Sequence, residues 1–242
     1  MASTQPITDL GPPAGYKPPP DRKLSEEEFL AWCDEDVKAE WVEGQVIVMS
    51  PANFSHANLT AFLLSLIRIW VEDRDLGVVL GPEFAVRLSP RSRRVPDVLF
   101  VAKDRLHNLR PTHLEGPPDL AIEIVSPDSV VRDWREKYYD YQSTGVREYW
   151  VIDPANQRVE AYQLVEGAYQ EILHDHDRIA SSVLAGFCLR DEWLWRAELP
   201  KVRDVLKENG PPQQNSWVNS GSGRAPSAWY KAICSASKVR KP

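Results

Sequence analysis

Cysteine is scarce and scattered in this chain. Only three stand among 242 residues, Cys33, Cys188 and Cys234, with neither CxxC nor zinc-finger spacing. An odd, widely spaced set argues against a disulfide scaffold and suits a reducing compartment. Positive charge is in deficit too, with 29 Lys and Arg against 35 Asp and Glu and a formal net charge of −6. That excludes a protein that coats nucleic acid wholesale, because phosphate affinity comes mainly from clustered Lys and Arg; a local basic groove stays open. Apolar runs are short, and none reaches the ~18–20 residues that cross a bilayer. Proline and glycine stand near the N-terminus where a signal peptide has its apolar core. There is no Gly-rich phosphate loop, no GxSxG and no HExxH. The expectation is a soluble, cytoplasmic protein without membrane association.

What is present suits one domain with two tails, at 43% hydrophobic and 26% charged residues. Residues 1–23 form a Pro-rich arm with no apolar period, read as disordered. The domain is expected over 24–199, and 200–242 as a mostly disordered tail whose one helix covers Val202–Asn209. Ser25 and Glu28 have capping-box spacing and open a short helix. Trp41–Met49 alternates around Gly44 as a hairpin. Leu59, Phe62, Leu63, Leu66, Ile67 and Trp70 recur at helical spacing, so a long helix should run from Ser55 to Asp73. Strands are expected at Gly77–Leu80, Glu83–Leu88 and Val95–Val101. The last two are joined by an arginine-rich turn, Arg91-Ser92-Arg93-Arg94. After Asp153-Pro154, Arg158–Leu164, Tyr169–Leu173 and Ile179–Val183 read as an antiparallel meander, followed by an apolar cluster at Phe187–Trp195.

Between these parts lies the stretch Pro118–Trp150. Asp119–Val125 is short, β-branched and almost wholly apolar, as a strand covered on both faces should be, yet Glu123 stands inside it. Ser126-Pro127-Asp128-Ser129 is rich in helix-starting residues, and the periodic run that follows ends at Gly145. On that helix Val130, Trp134, Tyr138 and Tyr141 share an arc that also holds Lys137, while Arg135 and Glu136 lie opposite. Strand, helix and strand in about 35 residues imply a right-handed crossover with parallel strands. Lys and Glu are seldom buried unless paired or ligating. Asp97, at the entry to the run Val98–Val101, reads alone as a surface or turn aspartate. Together Asp97, Glu123 and Lys137 make a two-carboxylate, one-amine set that suits a hard divalent cation such as Mg²⁺. A buried Glu123–Lys137 ion pair with no further role is the structural alternative.

The segments RRVPDVLFV, PPDLAIEIVSPDS and GVREYWVIDP, with a lysine in the intervening helix, resemble the Uma2 family of endonuclease-like proteins. That family is similar to the PD-(D/E)xK restriction-endonuclease superfamily. AEWVEGQVIVMSPANFSHANL is similar to the family's N-terminal hairpin and long helix, so the resemblance covers Leu24–Leu199. It implies an α/β fold, a restriction-endonuclease-like mixed sheet flanked by helices. Pro96-Asp97 matches the PD motif, with Asp97 as metal ligand, and Glu123 matches the acidic residue of (D/E)xK. Val125 stands where the tripeptide lysine belongs, so Lys137 would act from the helix. The backbone carbonyl of Ile124 is implied as a further metal ligand and Glu40 as an accessory one. The resemblance implies a Mg²⁺-dependent endonuclease, with Mn²⁺ as a substitute, cutting DNA; a homodimer would suit cutting two strands. The alternative is a nuclease-like domain kept as an inactive nucleic-acid-binding or oligomeric module.

Other polar groups receive smaller roles. The Arg91–Arg94 turn with Arg87 is either solvated or positions phosphate. His56 is expected to cap or pack, and His174-Asp175-His176 lacks a third ligand cluster.

Overall fold

The computed structural model describes residues 17–34, 37–126, 129, 132–173 and 178–210. Much of the N-terminal arm, the tail from 211, Val130, Cys234 and the His174–His176 pair lie outside them. Ser25 accepts from the Glu28 N–H while the Glu28 carboxylate accepts from the Ser25 N–H, opening α1 (Glu26–Trp32) as expected. The hairpin is β1 (Ala39–Val42) and β2 (Gln45–Val48). Its turn, Glu43–Gly44, has φ of 50° and 88°, the paired positive values of a tight two-residue turn. Asn53 caps α2 (Phe54–Asp73) by accepting from the His56 N–H.

β3 (Gly77–Leu80), β4 (Ala85–Ser89), β5 (Ser92–Arg94), β6 (Val98–Ala102), β7 (His113–Glu115) and β8 (Leu120–Ile124) follow. A π-helical turn, Arg132–Glu136, runs into α3 (Lys137–Thr144), which ends on Gly145 at φ 88°. β9 (Glu148–Asp153), β10 (Arg158–Val165), β11 (Ala168–Glu171), β12 (Arg178–Ala180), β13 (Cys188–Arg190) and α4 (Val202–Glu208) complete the chain.

The fold is α/β, with two mixed sheets and flanking helices. The central sheet runs β11-β10-β9-β8-β6-β3 and is antiparallel except for the parallel pair β8–β9, as the crossover requires. A second sheet runs β2-β1-β5-β4-β7. Two expectations are corrected here. β12 pairs with β13 in a separate two-stranded sheet rather than continuing the meander from β11. The arginine-rich turn is for the most part a strand, β5, and all three of its residues are buried.

The core splits on the two faces of the central sheet. Leu120, Ile122 and Ile124 of β8 join Leu63, Leu66, Ile67 and Trp70 of α2 on one face, with Val205 of α4 beside them. Ala121 and Val125 join Tyr141 of α3 and Tyr149 of β9 on the other. Alternation along β8 therefore turns Glu123 into the second layer, toward α3. The sequence reading that no stretch could cross a bilayer also needs correction. α2 has 20 residues and a mean hydropathy of 1.3 in its most apolar window, so it meets that test on length and composition. Its apolar face is accounted for by the first core layer, where Leu63, Leu66, Ile67 and Val71 are fully buried.

Candidate active site

The two sheets meet at Val95-Pro96-Asp97, the link between β5 and β6. On the central-sheet side, Val98 of β6 pairs with Ile122 of β8. One further step of that register sets Asp97 opposite Glu123, so the antiparallel ladder brings both carboxylates to one sheet end. The Ile124 N–H donates to Asp97 Oδ2 at 2.8 Å. A strand residue's N–H and C=O project to the same side, so the Ile124 carbonyl also faces the space beyond the start of β6. On the other side, Trp41 pairs with Arg93, which sets Glu40 opposite Arg94. Glu40 Oε2 accepts from Arg94 at 2.8 Å and Oε1 from the Val95 N–H at 3.1 Å.

Lys137 enters from the first turn of α3. Its Nζ lies 2.8 Å from Glu123, 3.3 Å from Glu40 and 3.2 Å from Asp133, with the side chain only 2% exposed. The helix thus brings an ammonium group to Glu123, while Val125 carries none. Asp133 sits one turn earlier, in the π-helical segment, and accepts from the Ser129 hydroxyl. The Tyr149 hydroxyl donates to the Asp133 carbonyl at 2.7 Å, and the Tyr141 hydroxyl donates to Glu123 Oε1 at 2.6 Å. The tyrosine rings fill core volume while their hydroxyls orient the acids.

Electrostatics follow from this crowding. Glu40, Glu123 and Asp133 surround Lys137, Glu40 and Asp140 hold Arg94, and Asp97 stands apart from both cations on the Ile124 N–H. Burial would raise Glu40, but Lys137, Arg94 and the Val95 N–H outweigh it and hold its pKa at about 2. Burial raises Glu123 to about 8; Lys137 offsets this only in part, and Asp133, Asp97 and Glu40 reinforce it. Burial alone would lower Lys137, yet the three carboxylates raise it above its ordinary value. The lysine is therefore charged.

His56 belongs to the site, where sequence reading expected a cap or a packing residue. It projects from the first turn of α2, and its Nε2 lies 3.2 Å from Asp97 Oδ2. The Asp97 hydrogen bond raises its pKa against the opposing effect of burial. Its sequence position gives no hint of this, because the contact depends on how α2 crosses the sheet.

Asp97, Glu123, Ile124, His56, Asp133, Arg132 and Lys137 all line one cleft of about 1080 Å³. Glu40 lies behind its wall, with both oxygens engaged. Lys38 and Arg132 also line the cleft, and among the described residues no side-chain hydrogen bond or ion pair engages either. The arginines expected to be solvated or to position phosphate are occupied elsewhere. Arg87 pairs with Glu26 and Glu115, Arg93 with Glu26, Arg94 with Glu40 and Asp140, and Arg91 with Glu43.

Among the described residues no three His, Cys, Asp or Glu side chains form a ready metal cage. The donors that converge are two carboxylates and one backbone carbonyl. This all-oxygen set fits a hard cation that keeps several waters, as Mg²⁺ does, better than a thiophilic or imidazole-seeking metal.

Comparison with known proteins gives this geometry a family. A crystal structure of a putative nuclease belonging to DUF820 from Anabaena variabilis superposes with a TM-score of 0.61. It is 20% identical, and the match covers 71% of this chain and 97% of that one, so the two share a fold. An uncharacterized protein of Synechocystis, sll1609, is 26% identical over 129 residues, 53% of this chain and 73% of its own. The family model described as "Uma2: Putative restriction endonuclease" matches residues 26–192, a span that includes every residue of the cleft's acidic centre. The chain belongs to the Uma2 family, with its nuclease-like fold and function.

Proposed function

We propose that the protein is a metal-dependent endonuclease that hydrolyses phosphodiester bonds in DNA, with Mg²⁺ as its cofactor and Mn²⁺ as a substitute. One observation carries this reading. Asp97 and Glu123 stand opposite each other at one cleft wall, with the Ile124 backbone beside them, so three oxygen-bearing groups share one end of the ladder. A divalent cation held by Asp97, Glu123 and the Ile124 carbonyl would take the place of the proton that burial keeps on Glu123. When bound, such an ion supplies Lewis acidity and a nucleophilic water at neutral pH.

The chain's own residues do the rest. Lys137 stays protonated beside Glu40, Glu123 and Asp133, so it serves as a fixed positive charge that orients the attacking water and faces the developing charge on the phosphate. It is not the base. Glu40 takes a supporting part, fixing Lys137 from behind the cleft rather than completing the metal shell. Lys38 and Arg132, which have no side-chain partner among the described residues, would grip the flanking phosphates and contribute affinity without sequence information.

Cleavage of single- and double-stranded DNA and RNA, with Mg²⁺ or Mn²⁺, tests the proposal. DNA should be cut by the wild type and left intact by folded Asp97→Ala, Glu123→Ala and Lys137→Ala variants. Metal-independent cleavage, or full activity in the Asp97→Ala protein, would refute it. A protein that binds DNA without cutting it would be an inactive member.

A further inference from the structure

One proposed metal donor, Asp97, is already engaged by a side chain from across the cleft. His56 Nε2 stands 3.2 Å from Asp97 Oδ2, the same oxygen that accepts from the Ile124 N–H. A nitrogen facing a carboxylate oxygen at that distance must carry the hydrogen. Its other ring nitrogen, Nδ1, lies 3.4 Å from Thr60 Oγ1. The Thr60 hydroxyl spends its own hydrogen on the His56 carbonyl at 2.8 Å, which leaves its oxygen as an acceptor toward the ring. The Nε2–H therefore faces an oxygen that a metal would need. We propose, on the basis of the metal reading above, that His56 is a displaceable stand-in for the cation: its Nε2–H occupies Asp97 Oδ2 in the metal-free protein, and the metal binds by taking that place.

The geometry leaves little room for both. Mg²⁺ sits about 2.1 Å from its oxygen ligands, well inside the gap that the N–H now spans. Imidazole joining the shell is disfavoured, because a hard cation prefers oxygen and water. Displacement is open to the side chain. The cleft beside it holds about 1080 Å³, and the side chain is already 17% exposed. The backbone need not move, since Asn53 pins the His56 N–H at 2.9 Å. In this role His56 is a positioning residue. It fixes the Asp97 carboxylate before the metal arrives, and it sets a threshold on metal affinity.

Calorimetric titration of the full chain with Mg²⁺ alone, for the wild type and His56→Ala, tests the exchange. Removing a competitor that makes one charge-assisted hydrogen bond should tighten binding by about tenfold. In the wild type, ring ¹⁵N–¹H correlations of His56 should move on Mg²⁺ saturation toward those of a solvent-facing imidazole. Affinity that is unchanged or weaker in His56→Ala, or ring signals that stay fixed while Mg²⁺ binds, would overturn the exchange and leave the metal reading standing. Absence of binding heat in both proteins would overturn the two together.

Discussion

Replacing Lys137 by methionine probes the centre most severely. The ammonium group is the shared partner of Glu123, Glu40 and Asp133 at 2.8, 3.3 and 3.2 Å, with 2% of the side chain exposed. Methionine keeps most of the stem's volume, so little of the cost comes from a cavity. The cost is electrostatic. Removing one partner of a buried ion pair typically destabilises by about 3–5 kcal/mol, and here one cation leaves three acids behind. For a domain of this size each kcal/mol lowers Tm by roughly 2–4 °C, so a fall of about 6–20 °C is expected.

The pH dependence has a definite sign. Glu40 is held at about 2, below its unfolded value of about 4.3. Its contribution is therefore complete above the unfolded value and is lost as pH falls toward 2. Without Lys137 the stranded acids take up protons more readily, so the deficit of the variant should shrink between pH 7.5 and 4.5. Urea denaturation at both pH values measures this, and adding Glu123→Gln to Lys137→Met should recover part of the loss. A Lys137→Met protein within about 1 kcal/mol of wild type at pH 7.5 would fall below the range for a broken buried pair and refute the reasoning, as would a deficit that grows on acidification.

Three further outcomes are expected. Glu123, raised to about 8 by burial, binds a proton more tightly folded than unfolded, so its stabilisation is lost as pH rises through about 8; the same proton competes with a cation, and Mg²⁺ affinity measured by calorimetry should rise across that range in the wild type and lose this dependence in Glu123→Gln. Gly77→Ala would set a Cβ 2.1 Å from the Val101 carbonyl oxygen at a φ of +154°, and should lower stability by about 1–3 kcal/mol or more in thermal denaturation. Lys38→Ala and Arg132→Ala should each reduce the slope of log affinity against log salt by about 1 in DNA-binding titrations without Mg²⁺; an unchanged slope would remove them from the phosphate path.

Much of the fold was legible because local chemistry and global packing agree. The capping box of Ser25 and Glu28, the Glu43–Gly44 turn, the apolar period of α2 and the αL stop at Gly145 each carry their own signal within a few residues. The pairing of Glu123 with Lys137 was legible for a different reason: each breaks an apolar pattern, and a buried charge needs a partner.

β5 was hidden because its burial depends on acids far away in sequence. Glu26, Glu40 and Asp140 neutralise Arg93 and Arg94, and nothing adjacent to the arginines announces them. Asp133 carried a signal that went unused: it stands four residues before Lys137, the spacing at which an acid and a lysine meet on one helix face. The contact of His56 with Asp97 belongs to the crossing of α2 over the sheet, a property of tertiary packing alone.

The most direct test of the centre is a crystal soaked in Mn²⁺ and measured for anomalous scattering. The expected result is one peak about 2.1–2.2 Å from oxygens of Asp97, Glu123 and the Ile124 carbonyl, with the His56 ring moved into the cleft. A peak bound elsewhere, or an empty cleft with the Glu123–Lys137 pair unchanged at saturating metal, would contradict it.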